Sequence, residues 1–216
     1  MNGYRSIQMP CNKTRLLSLA VLISLANGCS TSEFRHAEPV QAEAHTAPAL
    51  QRQYSPETRQ RYRQALALLR QQQIIPARQA LQALLADEPE IAGAWYNLAL
   101  IQYQQAEPQA ALQSLEHSLR LSPGQPGAYT LSGLILRQQG QFKQARSAYT
   151  QALEADSGYA AAHLNLAILY DIYLQAFPKA RHHYQRYLEL AGQDEQPEQV
   201  TLWLQDLQRR IDREAQ

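Results

Sequence analysis

The sequence predicts an all-α protein built as a stack of short helical hairpins. Composition is the first ground: Ala, Leu and Gln supply 93 of 216 residues, against three Val and three Phe. A chain rich in strong helix formers and poor in β-branched residues disfavours sheets. The second ground is self-similarity at a period of 34 residues. That is the length of a helix–turn–helix unit that buries its apolar faces only by stacking on its neighbours. The third is Val200, Trp203, Leu204, Leu207 and Ile211, an apolar stripe at helical spacing on a polar segment, suited to closing one end of the stack.

The amino terminus reads as an address. Lys13 and Arg15 precede an unbroken apolar run from Leu16 to Ala26. At about 1.5 Å per residue this run falls short of a bilayer core of about 30 Å, so it is expected to be the core of a signal peptide. The run ends in Leu25-Ala26-Asn27-Gly28-Cys29-Ser30, which resembles the lipobox of bacterial lipoproteins. Ala26 departs from the leucine the family prefers there. The resemblance implies removal of residues 1–28, lipidation of Cys29 and anchoring to a membrane. With Ser30 rather than Asp after the cysteine, it implies the outer membrane, facing the periplasm. Translation from either Met1 or Met9 leaves Cys11 in the discarded leader, so the mature chain has no free thiol, as suits an oxidising compartment. Residues 29–54 carry Pro, Ala, Glu and Gln without apolar periodicity and read as a disordered tether, with His36 and His45 as solvated bystanders.

Four repeats follow, at 58–91, 92–125, 126–159 and 160–194, preceded by a helix start at Ser55-Pro56-Glu57. Trp95, Tyr129 and His163 recur 34 apart. Small residues stand at Ala65, Ala99, Gly133 and Ala167, where two helices must approach closely. The second helix carries Ala77, Ala111 and Ala145, followed four residues on by Leu81, Leu115 and Tyr149, and Pro89 and Pro123 close it in the first two repeats. The first repeat puts Arg61 in the large-residue slot. The fourth carries Tyr170, Ala180, Tyr184 and Tyr187 with one extra residue near Gln175-Ala176-Phe177. These marks resemble the tetratricopeptide repeat, which implies a solenoid of four repeats with residues 195–216 as a capping helix.

Net charge is +1, with 20 basic and 19 acidic side chains. Nucleic-acid binding, which draws on a basic excess, is not expected. No nucleophile–base motif, Gly-rich phosphate loop or metal-ligand spacing is present. His182 and His183 diverge by about 100° on a helix, His163 fills a core or interface slot, and His117 sits on an exposed helix face. No enzyme activity, metal or cofactor is expected.

In tetratricopeptide proteins the concave face, lined by the first helix of each repeat, takes the ligand. Carried onto this sequence, the groove would comprise Tyr62, Arg63, Leu66, Tyr96, Asn97, Leu100, Tyr103, Thr130, Leu134, Arg137, Asn165, Ile168 and Asp171. Asn97 and Asn165 match the repeat's common asparagine, either as ligands for a peptide backbone or as consensus alone. Tyr96 and Tyr103 suit interface anchors or packing between helices. Arg59, Arg63 and Arg70 share one helix side, which with Arg137 could receive an acidic segment or form a solvated face. The lysine–asparagine clamp with which chaperone-binding members hold Glu-Glu-Val-Asp is missing.

The resemblance therefore implies a non-enzymatic, lipid-anchored adaptor that holds a peptide or helix of another envelope protein. Its setting would be the assembly of an envelope machine: a TonB-type system, or pilus or secretion apparatus served by pilotin-like lipoproteins. A scaffold for peptidoglycan hydrolases and proteases and an accessory module of glycan export are the alternatives. Self-association through the terminal helix is a further possibility.

Overall fold

The computed structural model describes residues 54–191 and 197–214. The leader, Cys29 and nearly all of the tether lie outside the described residues. Among those described there are no strands, and nine helices follow in order: α1 Pro56–Arg70, α2 Ile74–Asp87, α3 Ala92–Gln104, α4 Pro108–Leu121, α5 Pro126–Gln138, α6 Phe142–Ala155, α7 Ala160–Ile168, α8 Phe177–Leu190 and α9 Pro197–Glu214. None is long and apolar enough to cross a membrane.

Local chemistry sets the helix ends. Ser55 caps α1, its Oγ accepting from the Thr58 amide at 3.1 Å, with proline in the first turn where its missing N–H costs nothing. Within each of the first three hairpins the chain reverses through a left-handed residue, at Gln72, Ala106 and Gly140, spaced 34 apart. The amides of Gln73, Glu107 and Gln141 then reach back six-to-one to the carbonyls of Leu68, Gln102 and Leu136. This is a Schellman closure of the first helix, and only the third copy uses the glycine that such a position favours.

The fourth hairpin turns at Gln175, 35 residues after Gly140. The extra residue is not in the turn near Gln175-Ala176-Phe177, where the sequence places it. It sits upstream, in the π-helical segment Leu169–Tyr173 that continues α7, where the Leu174 amide bonds the Leu169 carbonyl at 3.0 Å. A π-bulge absorbs one added residue without breaking a helix. It leaves Leu169, Tyr170 and Asp171 buried while Ile172 and Tyr173 are exposed.

Each odd-numbered helix packs along the even-numbered one after it, and the hairpins stack α2 on α3, α4 on α5 and α6 on α7. The small residues Ala65, Ala99, Gly133 and Ala167 are all buried, as are Leu81, Leu115, Tyr149 and Tyr184 on the second helices. Helix α9 closes the stack against α8. It buries Val200 and Leu207, brings Trp203 to 6.2 Å from the Tyr184 ring, and keeps Glu198, Gln205, Arg209 and Asp212 outward. A polar outer face is what an end cap requires.

Candidate functional site

The first helices of the four hairpins stand side by side. Helix α3 packs on α5 and α5 on α7, and the Asn97 amide on α3 donates to Tyr62 Oη on α1 at 3.0 Å. The candidate partner-binding residues all lie on these helices or on the π-segment. Arg63 is exposed, and Tyr103, Leu134 and Asn165 are half-buried. Tyr62, Leu66, Tyr96, Asn97, Leu100, Thr130, Arg137, Ile168 and Asp171 are buried.

Two of the buried tyrosines pack between repeats. Tyr62 Oη would stand 2.6 Å from a Cβ at Gly93, and Tyr96 Oη 2.9 Å from one at Gly127. Both tyrosines and both glycines are one 34-residue period apart, so the same junction occurs twice. Glycine is needed there because a phenol lies where a side chain would project. Burial, reinforced by nearby Tyr159, raises the Tyr96 phenol well above its ordinary pKa and keeps it protonated. Asn97 and Asn165 also share a local role. Each donates its side-chain amide to the carbonyl one turn earlier, Gly93 at 2.7 Å and Ala161 at 2.8 Å.

Four buried polar atoms of the candidate residues make no hydrogen bond: Asn97 Oδ1, Thr130 Oγ1, Arg137 Nη1 and Asp171 Oδ1, of which only the last is compensated, by an ion pair with Arg210. Thr130 and Arg137 are seven residues apart on α5 and share its face, while Asn97 belongs to the neighbouring helix. Leaving such an atom buried and unbonded costs about 1–3 kcal/mol, more for a charged group. Native folds rarely tolerate this without a role for the group. Arg137 is the most costly, because a guanidinium cannot shed its charge. The Tyr173 ring, 6.0 Å from its Cζ, gives only a distant cation–π contact.

The rest of the face is occupied. Tyr103 Oη accepts from Gln138 Nε2 at 2.5 Å. Asp171 forms an ion pair with Arg210 of the capping helix at 2.7 Å and accepts from Tyr184 Oη at 3.3 Å. Burial first, then the Asp171 charge, raises the Tyr184 phenol and holds it protonated. The sequence reading missed Arg210, because nothing in the polar pattern of α9 marks which of its charges turns inward.

The large-residue slot serves structure. Trp95 Nε1 donates to the Pro89 carbonyl at 2.7 Å, and His163 Nε2 lies 3.2 Å from that of Ser157, in each case six residues back. Arg61 fills the slot differently, donating to the Ala83 carbonyl at 3.0 Å and pairing with Asp87 at 2.8 Å. His163 Nδ1 also meets His183 Nδ1 at 3.0 Å, a pairing that separation in sequence concealed. With Nε2–H given to Ser157, His163 accepts at Nδ1 and His183 donates. Among the described residues no group of three or more side chains could hold a metal ion.

Comparison with known proteins agrees with this geometry. Residues 62–126 match the family described as tetratricopeptide repeat, and residues 133–171 match the TPR repeat. The chain carries tetratricopeptide repeats. No curated protein matches it in sequence. Among solved structures it is similar to pilF of Pseudomonas aeruginosa, at 19% identity and a TM-score of 0.62, over 72% of this chain and 69% of that one. It is similar to MamA of Desulfovibrio magneticus RS-1, at 19% identity and a TM-score of 0.56, over 73% and 98%. A third is the first TPR of Spaghetti (RPAP3) bound to an HSP90 peptide, at 18% identity and a TM-score of 0.51, over 56% and 95%. At these identities the likeness shows a shared tetratricopeptide solenoid.

Proposed function

We propose that this protein is a non-enzymatic tetratricopeptide adaptor of the bacterial envelope. It holds an extended segment of a partner protein along the face formed by α1, α3, α5 and α7. The observation that carries this reading is the pair of buried, unbonded atoms Thr130 Oγ1 and Arg137 Nη1 on one face of α5. A hydroxyl and a guanidinium suit the amides and the carbonyls or carboxylates of an extended chain. That a similar solenoid is known with an HSP90 peptide bound supports a peptide as the class of ligand.

The gene product is placed by lipid on Cys29 at the outer membrane, facing the periplasm, with residues 30–54 as its tether. Such anchoring raises the effective concentration of a weak face for other membrane-bound proteins. The setting is the assembly of an envelope machine, of TonB, pilus or secretion type.

Two measurements test this. Metabolic labelling with an alkyne fatty acid should tag the wild type in the outer-membrane fraction and not Cys29→Ala; equal labelling would refute the anchor. Leu134→Arg, at a half-buried site of the proposed face, should leave helix content unchanged and abolish co-purification of the partner after crosslinking in cells. Undiminished recovery would refute the face.

A further inference from the structure

Arg137 and Asp171 occupy the same position of successive repeats, 34 residues apart on the adjacent helices α5 and α7. Helices in contact lie about 8–10 Å apart, so opposite charges at equivalent positions would be expected to pair across the junction. They do not. Asp171 is turned to Arg210, which enters from α9 with its Nη2 2.7 Å from the carboxylate. Tyr184 Oη takes the other oxygen at 3.3 Å. Arg210 is itself fixed, with its guanidinium 5.1 Å from the Phe177 ring and its Nε 3.2 Å from Asp206. Arg137 is left 5% exposed, without an ion pair among the described residues and with Nη1 unbonded.

A buried cation without a counter-ion is costly. Here its natural counter-ion is one repeat away, committed elsewhere. We infer that Arg210 of the capping helix is a specificity-determining residue: by holding Asp171 it keeps Arg137 open, so that the face selects a segment that brings its own carboxylate. The partner class is thereby an acidic extended peptide, its carboxylate bound by Arg137 and its backbone met by Thr130. Arg210 acts through Asp171 and does not touch the ligand. This inference rests on the peptide-binding reading above.

The test uses the full lipidated chain in detergent with Arg210→Met, which keeps an unbranched stem of similar length while removing the charge and the guanidinium that lies over Phe177. Helix α9 stays docked through Val200 and Leu207. One readout needs no partner. In the wild-type background the urea midpoints of Arg137→Met and Asp171→Asn should add; in Arg210→Met they should become non-additive, because the freed Asp171 turns to Arg137. Additivity in both backgrounds would overturn the inference.

The second readout uses an array of amidated octapeptides, each with one Asp or its Asn counterpart. Wild type should favour the Asp form on the order of tenfold, as a desolvated charge-assisted bond implies. Arg210→Met should lose the preference, and Arg210→Met with Asp171→Asn should regain it, since no internal carboxylate then quenches Arg137. Binding without acidic preference would overturn the inference and leave the adaptor reading standing. Binding by no peptide would overturn the adaptor reading, and with it the assignment of an acidic partner.

Discussion

The ring of Tyr149 on α6 occupies the space that a side chain at Gly133 on α5 would need. A Cβ built there lies 2.5 Å from Cε1 and 2.6 Å from Cδ1. The equivalent first-helix residues are Ala65, Ala99 and Ala167. In the first two repeats the facing second-helix residue is Leu81 or Leu115, smaller than tyrosine. In the third repeat glycine thus makes room for the tyrosine ring, whereas the fourth repeat, with its π-segment between the two positions, carries Ala167 and Tyr184 together.

Gly133→Ala should therefore destabilise the protein by about 1–3 kcal/mol, the usual cost of overpacking, despite the better helix propensity of alanine. Adding Tyr149→Leu, which recreates the pairing of the first two repeats, should recover much of the loss. Urea unfolding of the two single variants and the double variant checks this, and simple additivity of the two effects would contradict it.

The left-handed turn residues give a second, opposite prediction. Gln72, Ala106 and Gln175 hold φ near +50° to +60° with a β-carbon, whereas Gly140 holds +75° without one. Ala106→Gly should stabilise by about 0.5–1 kcal/mol, and Gly140→Ala, where a Cβ meets nothing within 4 Å, should cost about 1 kcal/mol through backbone strain alone. Thermal melts of the two variants should move in opposite directions.

The His163–His183 contact makes stability depend on pH. Burial, then the neighbouring His163 and His182, lowers His183 to about 4, and burial chiefly lowers His163. A histidine in the unfolded chain titrates near 6.5. Between these values the unfolded state binds more protons, so stability is intact above about pH 6.5 and falls on acidification toward 4. Protonation of His163 would set two N–H groups face to face. The melting temperature of the wild type should drop between about pH 7 and 4.5, and that of His183→Gln should drop less. Parallel profiles would contradict the assignment.

Much of the fold was legible because the repeat writes its geometry as residue size. Ala65, Ala99, Gly133 and Ala167 mark close helix approach, and Pro89 and Pro123 mark helix ends. The site was legible as a face and not as a surface. Helix periodicity identifies which side of α3 carries Tyr96 and Asn97. It does not show that Gly93 and Gly127 let the tyrosine of the preceding repeat lean over and bury itself. The extra residue of the fourth repeat was misplaced for a similar reason. A π-turn has no glycine or proline to mark it, whereas a loop residue such as Gln175 sits where insertions are ordinarily expected. Arg210 could not be chosen from among Arg209, Arg210 and Arg213 without knowing the rotation of α9 on α8.

The central claim, that the face of α1, α3, α5 and α7 holds a segment of an envelope protein, is tested most directly by photo-crosslinking in living cells. The photoreactive residue would replace Leu134 or Tyr103, half-buried on that face, with exposed Gln113 on α4 as the control. The account predicts one dominant protein adduct shared by both face positions and missing from the control. The same adduct at all three positions, or none from the face in correctly anchored protein, would contradict it.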